Sequence, residues 1–161
     1  MRESCKDDIT VTIRDAMRGD VQQIRRLVHY YAERDIILDR DEEDILASLN
    51  TFLVAEYDKK ILGIISFYDY GKKLKEIRSL AVENNWKKCG IGSIFLENLI
   101  AILCKKFPES KIFVLTFSPQ FFQKYGFMII DKDTLPEKIW KDCKNCKHRD
   151  NCGETALILP Q

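Results

Sequence analysis

The sequence lacks a membrane span, a large net charge and any low-complexity tract. Its longest apolar stretches, Ile61–Tyr70 and Ile94–Leu103, reach about half of the roughly 20 residues that a membrane span needs, and both contain polar residues. The 26 Lys and Arg residues balance 25 Asp and Glu residues, so no net field attracts nucleic acid or an anionic membrane. No internal repeat or linker interrupts the chain. We therefore expect neither nucleic acid nor a membrane as a partner.

The composition is typical of one folded domain. Hydrophobic residues make up 45% of the chain, and 9 Phe and 6 Tyr are too many aromatic residues for a disordered protein. A length of 161 residues suits one core, so we expect a single domain over residues 1–161. Residues 1–8 contain no apolar run, which argues against a secretory signal and favours a cytoplasmic location. In that reducing compartment cysteines are expected to be thiols or metal ligands.

Hydrophobic periodicity predicts an α/β fold with a mixed, mainly antiparallel sheet flanked by helices. A strand, a helix and a strand in series normally form a parallel crossover, which places a βαβ unit near the centre of the sheet. In order, we predict a strand at 9–14, a helix at 21–34 capped by Asp20 with Gln23, a short helix at 41–49 with an apolar stripe of Ile45, Leu46 and Leu49, hairpin strands at 52–56 and 61–70, a strand at 76–82, a helix at 91–103, a strand at 111–117, a short helix ending at Gly126, and strands at 127–130 and 154–159.

A glycine-containing loop separates the predicted strand 76–82 from the helix that follows it. The loop holds Lys87, Lys88, Gly90 and Gly92. Glycine permits close backbone approach, and the N–H groups and dipole of a helix start favour a phosphate. The same glycines fit a plain tight turn, so the loop alone leaves both interpretations open. It is neither a Walker loop nor a dinucleotide fingerprint, because it matches neither spacing.

Two segments in sequence order resemble the signatures of the GCN5-related N-acetyltransferase (GNAT) family. Lys87-x-x-Gly90-x-Gly92, behind a strand Ile-Arg-Ser-Leu-Ala-Val, is similar to the Arg/Gln-x-x-Gly-x-Gly/Ala motif of that family. Phe121-Phe-Gln-Lys-Tyr-Gly-Phe127 looks like the second, aromatic-rich signature. The resemblance implies acetyl-CoA as the co-substrate and N-acetyl transfer as the reaction.

The resemblance also implies where acetyl-CoA binds. In the family, the main chain of the strand before the loop pairs with the pantetheine arm, and the loop amides hold the pyrophosphate. Lysine at position 87 keeps the positive charge of the usual arginine but loses its planar fork. The implied cofactor-binding residues are Leu80, Ala81, Val82, Lys87, Lys88, Cys89, Gly90, Ile91, Gly92, Ser93 and Phe122.

Three segments, 37–40, 76–82 and 135–143, resemble the stand-alone N-acetylglutamate synthase type of amino-acid acetyltransferase. Longer synthases of this kind carry an amino-acid-kinase-like domain, for which this chain has no room, so we expect regulation through that domain to be absent. An acidic amino acid needs cations for its carboxylates. The candidate substrate-binding cations are Arg40, Arg78 and Lys141, although each also fits an ordinary surface or ion-paired cation.

Glu76 is the candidate general base, and the main-chain N–H of Leu80 is the candidate donor to the developing oxyanion. Strand alternation puts Arg78 on the same side as Glu76, which suits an amine and its carboxylate, unless a bulge intervenes. The alternative for Glu76 is an exposed strand-end carboxylate paired with Lys75 or Arg78.

The usual general acid of the family is absent. Many members protonate the leaving thiolate with a tyrosine at the position of Phe122, whereas the N-acetylglutamate synthase type is similar to this chain in having phenylalanine there. Tyr125, three residues on, is the nearest hydroxyl, although packing is its more frequent role. We expect the thiolate to take its proton from water.

Four potential zinc ligands lie within ten residues near the end of the chain. They predict a small structural zinc knuckle, for which a disulfide or three reduced thiols are the alternatives. The four residues are Cys143, Cys146, His148 and Cys152.

The reaction we expect is acetylation of the α-amine of a small amino acid, L-glutamate first, as in the opening step of arginine biosynthesis. An acetyltransferase acting on another amine, such as a polyamine or a protein N-terminus, is one alternative. A non-catalytic, metal-binding regulatory module of the same fold is another. Edge strands in this fold commonly support dimers, so a homodimer is the expected candidate assembly.

Overall fold

The structure is a computed structural model that describes residues 11–71, 73–87, 89–135 and 154–160. Its helices and strands follow the predicted order closely. They are β1 (Thr12–Asp15), α1 (Val21–Ala32), α2 (Glu42–Ala47), β2 (Phe52–Tyr57), β3 (Lys60–Asp69), β4 (Leu74–Val82), α3 (Ile91–Lys106), β5 (Lys111–Thr116), α4 (Pro119–Gln123), β6 (Met128–Ile130) and β7 (Thr155–Leu159).

The strands form one mixed sheet in the order β1-β2-β3-β4-β5-β7-β6. The pairs β1–β2, β2–β3, β5–β7 and β6–β7 are antiparallel. β4 and β5 are parallel, from the pair Leu74–Lys111 to the pair Ile77–Val114, and α3 connects them. The predicted fold class, a mainly antiparallel sheet with a βαβ unit and flanking helices, is confirmed.

The described residues group into two compact units, which we take separately. The first contains the chain up to Phe67 together with Ser79–Lys106. In this unit α1 buries one face at helical spacing, and its core includes Ile45 of α2 and strand residues of β2, β3 and β4. The buried residues of this core are Val21, Ile24, Leu27, Val28, Tyr31, Ile45, Phe52, Val54, Ile61, Ile64 and Ala81.

Gly63 of β3 marks the contact between the first unit's strands and α3. A Cβ atom at this position would lie 2.8 Å from the Phe95 ring of α3 and 3.2 Å from the carbonyl oxygen of Ala81 in β4. Its neighbour Ile64 points to the opposite face of the strand, where it packs with α1. Two helices therefore cover opposite faces of β3.

The predicted cap of α1 is wrong. The carboxylate of Asp20 makes no capping hydrogen bond to α1 and instead accepts from the Met17 main-chain N–H at 2.7 Å and from Arg14 at 2.8 and 3.0 Å. Gln23 accepts the Ile61 main-chain N–H at 2.8 Å, so it does not complete a capping box. The hydrogen bonds from Arg14 lower the pKa of Asp20 below its usual value, and Asp20 and Glu56 raise the pKa of Arg14.

The short helix and the hairpin follow the prediction with one difference. Asp41 caps α2 by accepting the Asp44 N–H at 2.8 Å. The helix ends at Ala47, before Leu49 of the predicted stripe. Ile45 is buried and Leu49 packs against the core, whereas Leu46 lies within the helix and is exposed. The β2–β3 turn has positive φ at Asp58 and Lys59, the conformation of a two-residue type I′ turn.

The second unit contains Tyr68–Arg78 and the chain from Phe107 onward. Its core cluster includes Phe113 of β5, Leu135 and Ala156 of β7, with Tyr70 and Ile158 packed against it. A hairpin joins the end of β3 to the start of β4, where the Tyr70 N–H donates to the Leu74 carbonyl at 3.1 Å. None of the helices in the described part of the chain has the length and apolarity to cross a membrane.

Candidate active site

In the first unit, the end of β4 leads into the glycine loop and the start of α3. Gly90 adopts φ +85°, which glycine accepts without strain, and its carbonyl oxygen accepts the Ile94 N–H at 3.1 Å. The first intrahelical hydrogen bond therefore begins at Gly90, which leaves the N–H groups of Ile91, Gly92 and Ser93 without an intrahelical acceptor. Three aligned donors at the positive end of a 16-residue helix suit an anion, and the binding of a phosphate here stays a prediction.

Lys87 and Cys89 have contacts of their own in this loop. The Lys87 ammonium lies 4.8 Å from the centre of the Tyr31 ring. Cys89 is disulfide-bonded, which differs from the reduced thiol expected from the sequence, whereas Cys104 on α3 is a free and exposed thiol. Lys88 lies outside the described residues, and its predicted role stays a prediction.

Tyr31 of α1 is buried beneath the end of β4. Its hydroxyl donates to the main-chain carbonyl of Val82 and lies 3.3 Å from the Asn84 side-chain oxygen. Burial, assisted by neighbouring Tyr30 and Glu83, raises the pKa of Tyr31 to about 12. The phenol is therefore neutral at physiological pH and holds the carbonyl of one of the three strand residues predicted to bind the cofactor.

Arg40 lies in the same unit, and its guanidinium is held by several hydrogen bonds and by an aromatic ring. Its side chain is only 9% exposed. It donates to Asp44 at 2.7 Å and to Ser48 at 2.7 Å, and it lies over the Phe52 ring at 4.9 Å. Weaker hydrogen bonds of 3.3 and 3.4 Å reach the hydroxyls of Ser66 and Ser79.

Ser79 interrupts the regular geometry of β4. It has φ +54°, in the left-handed region that non-glycine residues rarely adopt. The parallel ladder with β5 ends two residues earlier, at Ile77. The residues after Ser79, which include Leu80 and its main-chain N–H, therefore follow a bend in the strand rather than its regular course.

In the second unit, Glu76 and Arg78 are in direct contact. The Arg78 Nε donates to Glu76 Oε1 at 2.7 Å, and the Tyr70 hydroxyl donates to the same oxygen at 2.9 Å. The Glu76 and Arg78 side chains are 8% and 16% exposed. The two side chains share one face, as strand alternation predicts, because the bend in β4 comes after Arg78.

Aromatic rings complete this cluster. The Arg78 guanidinium stands 4.3 Å from the centre of the Tyr68 ring and donates to the Tyr70 hydroxyl at 2.6 Å. The Tyr68 and Tyr70 rings are 4.6 Å apart, and Tyr70 also contacts Phe113. Glu76 is thus ion-paired with Arg78, as one alternative expected, but it is buried rather than exposed. Both Arg78 and Tyr70 donate to the same Glu76 carboxylate oxygen.

Phe122 lies in an aromatic cluster of the second unit. It is 4% exposed and packs edge-to-face against Phe121 and Phe127, with ring centres 5.1 and 5.5 Å away. Tyr125 contacts Phe121 at 5.6 Å between ring centres. Phe122 has no hydroxyl to offer as an acid, so the chemistry of this position agrees with protonation of the thiolate by water.

Several predicted site residues fall outside the described residues. They are Lys141 and the four predicted zinc ligands, Cys143, Cys146, His148 and Cys152. Among the residues that the structure does describe, no group of three or more His, Cys, Asp or Glu side chains is placed to hold a metal ion. The zinc knuckle therefore remains a prediction.

The sequence analysis missed Tyr70 and Tyr31. Tyr68 in β3 and Tyr70 just after it are spaced two apart, as are Glu76 and Arg78 on the other side of the hairpin, and that matching period of two was a usable signal. No comparable signal identifies Tyr31. Its helical spacing indicates a core position, and only the long-range contact with Val82 reveals its hydroxyl as a donor.

The mixed sheet and the donor-rich loop at the start of α3 define the fold of an acetyltransferase. A family model described as an acetyltransferase (GNAT) domain matches residues 48–129, about half of the chain. An uncharacterized N-acetyltransferase from Chlorobaculum tepidum is 37% identical over 146 residues, which cover 91% of this chain and 94% of the relative. The chain belongs to the GNAT acetyltransferase family, and it is an N-acetyltransferase.

Two further proteins are similar over most of the chain. An amino-acid acetyltransferase from Mycobacterium tuberculosis is 28% identical over 138 residues, covering 84% of this chain and 78% of the relative. The N-acetylglutamate synthase from Neisseria gonorrhoeae, solved with coenzyme A and N-acetyl-glutamate, superposes with a TM-score of 0.82 at 25% identity. That match covers 95% of this chain but only 35% of the Neisseria enzyme.

Proposed function

We propose that this enzyme transfers the acetyl group of acetyl-CoA to the α-amine of L-glutamate. The observation that carries the proposal is the contact between Glu76 and Arg78, which puts a base and a carboxylate-binding cation on one face of one strand. The similarity to amino-acid acetyltransferases, one of them solved with N-acetyl-glutamate, supports an acidic amino acid as the acceptor. A role in arginine biosynthesis, in the cytoplasm, follows as part of this proposal.

The first-unit loop fits the cofactor. The N–H groups of Ile91, Gly92 and Ser93 point from a helix start and match the charge of a pyrophosphate. No atom lies within 4 Å of where a Cβ would stand on Gly90, so the backbone there is open to a ligand. We assign the main chain of Leu80, Ala81 and Val82 to the pantetheine arm, with Lys87, Lys88 and Cys89 bordering the phosphates. Bound acetyl-CoA supplies the activated thioester.

The protein groups have distinct tasks in the transfer. The Glu76 carboxylate accepts a proton from the substrate ammonium, directly or through a water, and so frees the amine for attack on the thioester carbonyl. The Leu80 N–H donates to the oxyanion that forms there. As the tetrahedral species collapses, the carbon–sulfur bond breaks and the attacking nitrogen loses its second proton to water. Water supplies the proton that the leaving thiolate takes up, because residue 122 is phenylalanine, and Glu76 returns its proton to solvent. The products are the N-acetyl amino acid and CoA.

Arg78 is the substrate-binding cation nearest to the proposed base. Both arginines are already bound within the protein, Arg78 by Glu76 and Tyr70 and Arg40 by Asp44 and Ser48. Each therefore binds a substrate carboxylate only by exchanging some of these contacts. Lys141 completes the proposed substrate cations. A structural zinc at the cysteine cluster and a homodimer complete the proposal.

Thiol release from acetyl-CoA tests the acceptor. Purified protein is assayed with glutamate, glutamine, aspartate, a polyamine and a peptide. Saturable release with glutamate supports the proposal, whereas release only with another amine rejects glutamate and keeps the transferase chemistry. Metal analysis of the same preparation checks for zinc.

The variant Glu76→Gln tests the base. We expect kcat with glutamate to fall by about 10²-fold or more, with CoA affinity unchanged, because general base catalysis typically contributes this much. Glu109→Gln is the matched control, since Glu109 is an exposed carboxylate paired only with Lys73 at 3.1 Å among the described contacts. Equal activity of Glu76→Gln and the control would remove Glu76 from the mechanism.

A further inference from the structure

Tyr31 contacts two separate components of the cofactor cradle. Its hydroxyl donates to the Val82 carbonyl at the end of β4, and its ring face lies 4.8 Å from the Lys87 ammonium in the loop. The side chain itself is only 3% exposed, so it is placed to act on these groups and not on a ligand. Among the described residues, no other side chain is found in contact with both groups.

The two contacts act at the strand end and in the loop. The Val82 carbonyl belongs to the same peptide group as the Glu83 N–H, which donates to the Leu62 carbonyl of β3 at 2.7 Å, and the Tyr31 hydroxyl holds the carbonyl side of that group. A lysine carries four rotatable bonds, and a cation over an aromatic face loses part of that freedom. Tyr31 therefore adds a second restraint to the strand end and limits the motion of the loop cation before the ligand arrives.

We propose that Tyr31 is a positioning residue for acetyl-CoA, in which the hydroxyl orients the Val82 carbonyl for the pantetheine arm and the ring holds Lys87 beside the pyrophosphate. This inference rests on the proposed cofactor site. It assigns to α1 a part in cofactor binding, although α1 is otherwise the main core helix of the first unit.

The variant Tyr31→Phe removes only the hydroxyl and keeps the ring. We expect the Kd for CoA and the KM for acetyl-CoA to rise about fivefold to tenfold, the change that loss of one hydrogen bond produces. The kcat and the KM for the amine should change by less than about twofold. A merely structural role predicts lower thermal stability with unchanged CoA affinity, which would overturn the proposal.

Tyr57→Phe is the matched control. Tyr57 contacts Trp86 of the same loop at 5.6 Å between ring centres, and it has no hydroxyl hydrogen bond among the described contacts. The Tyr57→Phe variant should bind CoA with the same Kd as the parent protein. An equal rise in Kd for both variants would show that the effect is not specific to Tyr31, and it would overturn the proposal.

The exposed Lys87 gives a second test, in which the lysine change itself lies outside the core. Lys87→Met should raise the Kd for CoA and flatten its dependence on salt, and the same change in a Tyr31→Leu background should have a smaller effect, because the ring that holds Lys87 is gone. Strictly additive effects would overturn the role of the ring. Failure of the parent protein to bind CoA would instead reject the cofactor site itself, and the inference with it.

Discussion

Arg40 Nη1 lies 3.4 Å from the hydroxyl of Ser79, which is the residue at which β4 leaves its regular conformation. The φ of +54° at Ser79 is costly for any residue with a Cβ, so surrounding contacts must compensate for it. The buried Arg40 guanidinium, anchored by Asp44 and Ser48, provides a fixed donor for the serine hydroxyl. The bend that precedes Leu80 is thus tied to the segment between α1 and α2.

Substitutions at Ser79 should separate strain from hydrogen bonding. Ser79→Gly loses the contact with Arg40 but relieves the left-handed conformation, so we expect the free energy of unfolding to change by less than about 1 kcal/mol. Ser79→Val combines that loss with a β-branched residue at positive φ, and it should be about 2 kcal/mol less stable than Ser79→Gly. Urea unfolding measures both values. Equal stability of the two variants would show that the backbone at this position relaxes freely.

Periodicity was sufficient to predict the elements and their order. The alternation of β1, the helical spacing of α1 and the β4–α3–β5 series are local patterns, and each of these elements forms where the pattern predicts. The glycine loop was also predictable, because Gly90 and Gly92 stand at the start of a long apolar helix. The contact of Glu76 with Arg78 follows from alternation alone.

Long-range contacts were beyond these patterns. Asp20 has the residue type and position of a cap for α1, but the guanidinium of Arg14 competes for the same carboxylate and forms the stronger, charge-assisted hydrogen bonds. The sequence left Arg40 open between a substrate-binding cation and a surface or ion-paired one, because its partners Ser66 and Ser79 lie 26 and 39 residues away in the sequence. Positions of this kind depend on the assembled fold and not on local spacing.

The ion pair between Asp20 and Arg14 should make the free energy of unfolding depend on pH in the acidic range. The pKa of Asp20 is lowered in the folded state, so its contribution is present above the unfolded pKa near 3.8 and is lost as pH falls through the lower folded value. Asp20→Asn should lose about 1–3 kcal/mol of unfolding free energy at neutral pH, because it leaves the partly buried Arg14 less well paired. The difference from the parent protein should shrink below about pH 4. A constant difference from pH 7 to pH 3 would contradict the linkage.

Tyr31 should make the free energy of unfolding decrease as pH rises in the alkaline range, whereas the contribution of Asp20 decreases as pH falls. Its folded pKa of about 12 exceeds the unfolded value near 10, so its contribution is complete below pH 10 and is lost as pH rises from 10 through 12. We expect the stability advantage of the parent protein over Tyr31→Phe to fall by about 2–3 kcal/mol across that interval. Urea unfolding at a series of pH values measures it. An advantage that is the same at pH 9 and pH 12 would show that the phenol ionises as in the unfolded chain.

Gly63 should not tolerate even one added methyl group. The Cβ of alanine would stand 2.8 Å from the Phe95 ring and 3.2 Å from the Ala81 carbonyl oxygen, and the ring is fully buried with no space to withdraw into. We expect Gly63→Ala to lose about 1–3 kcal/mol of unfolding free energy through overpacking. Gly19→Ala is the control, because no atom lies within 4 Å of its added Cβ. The displaced β3–α3 contact also borders Ala81, which is a proposed cofactor-binding residue. Gly63→Ala should therefore weaken CoA binding as well. A variant that is destabilised but binds CoA with unaltered affinity would separate the core contact from the cofactor site.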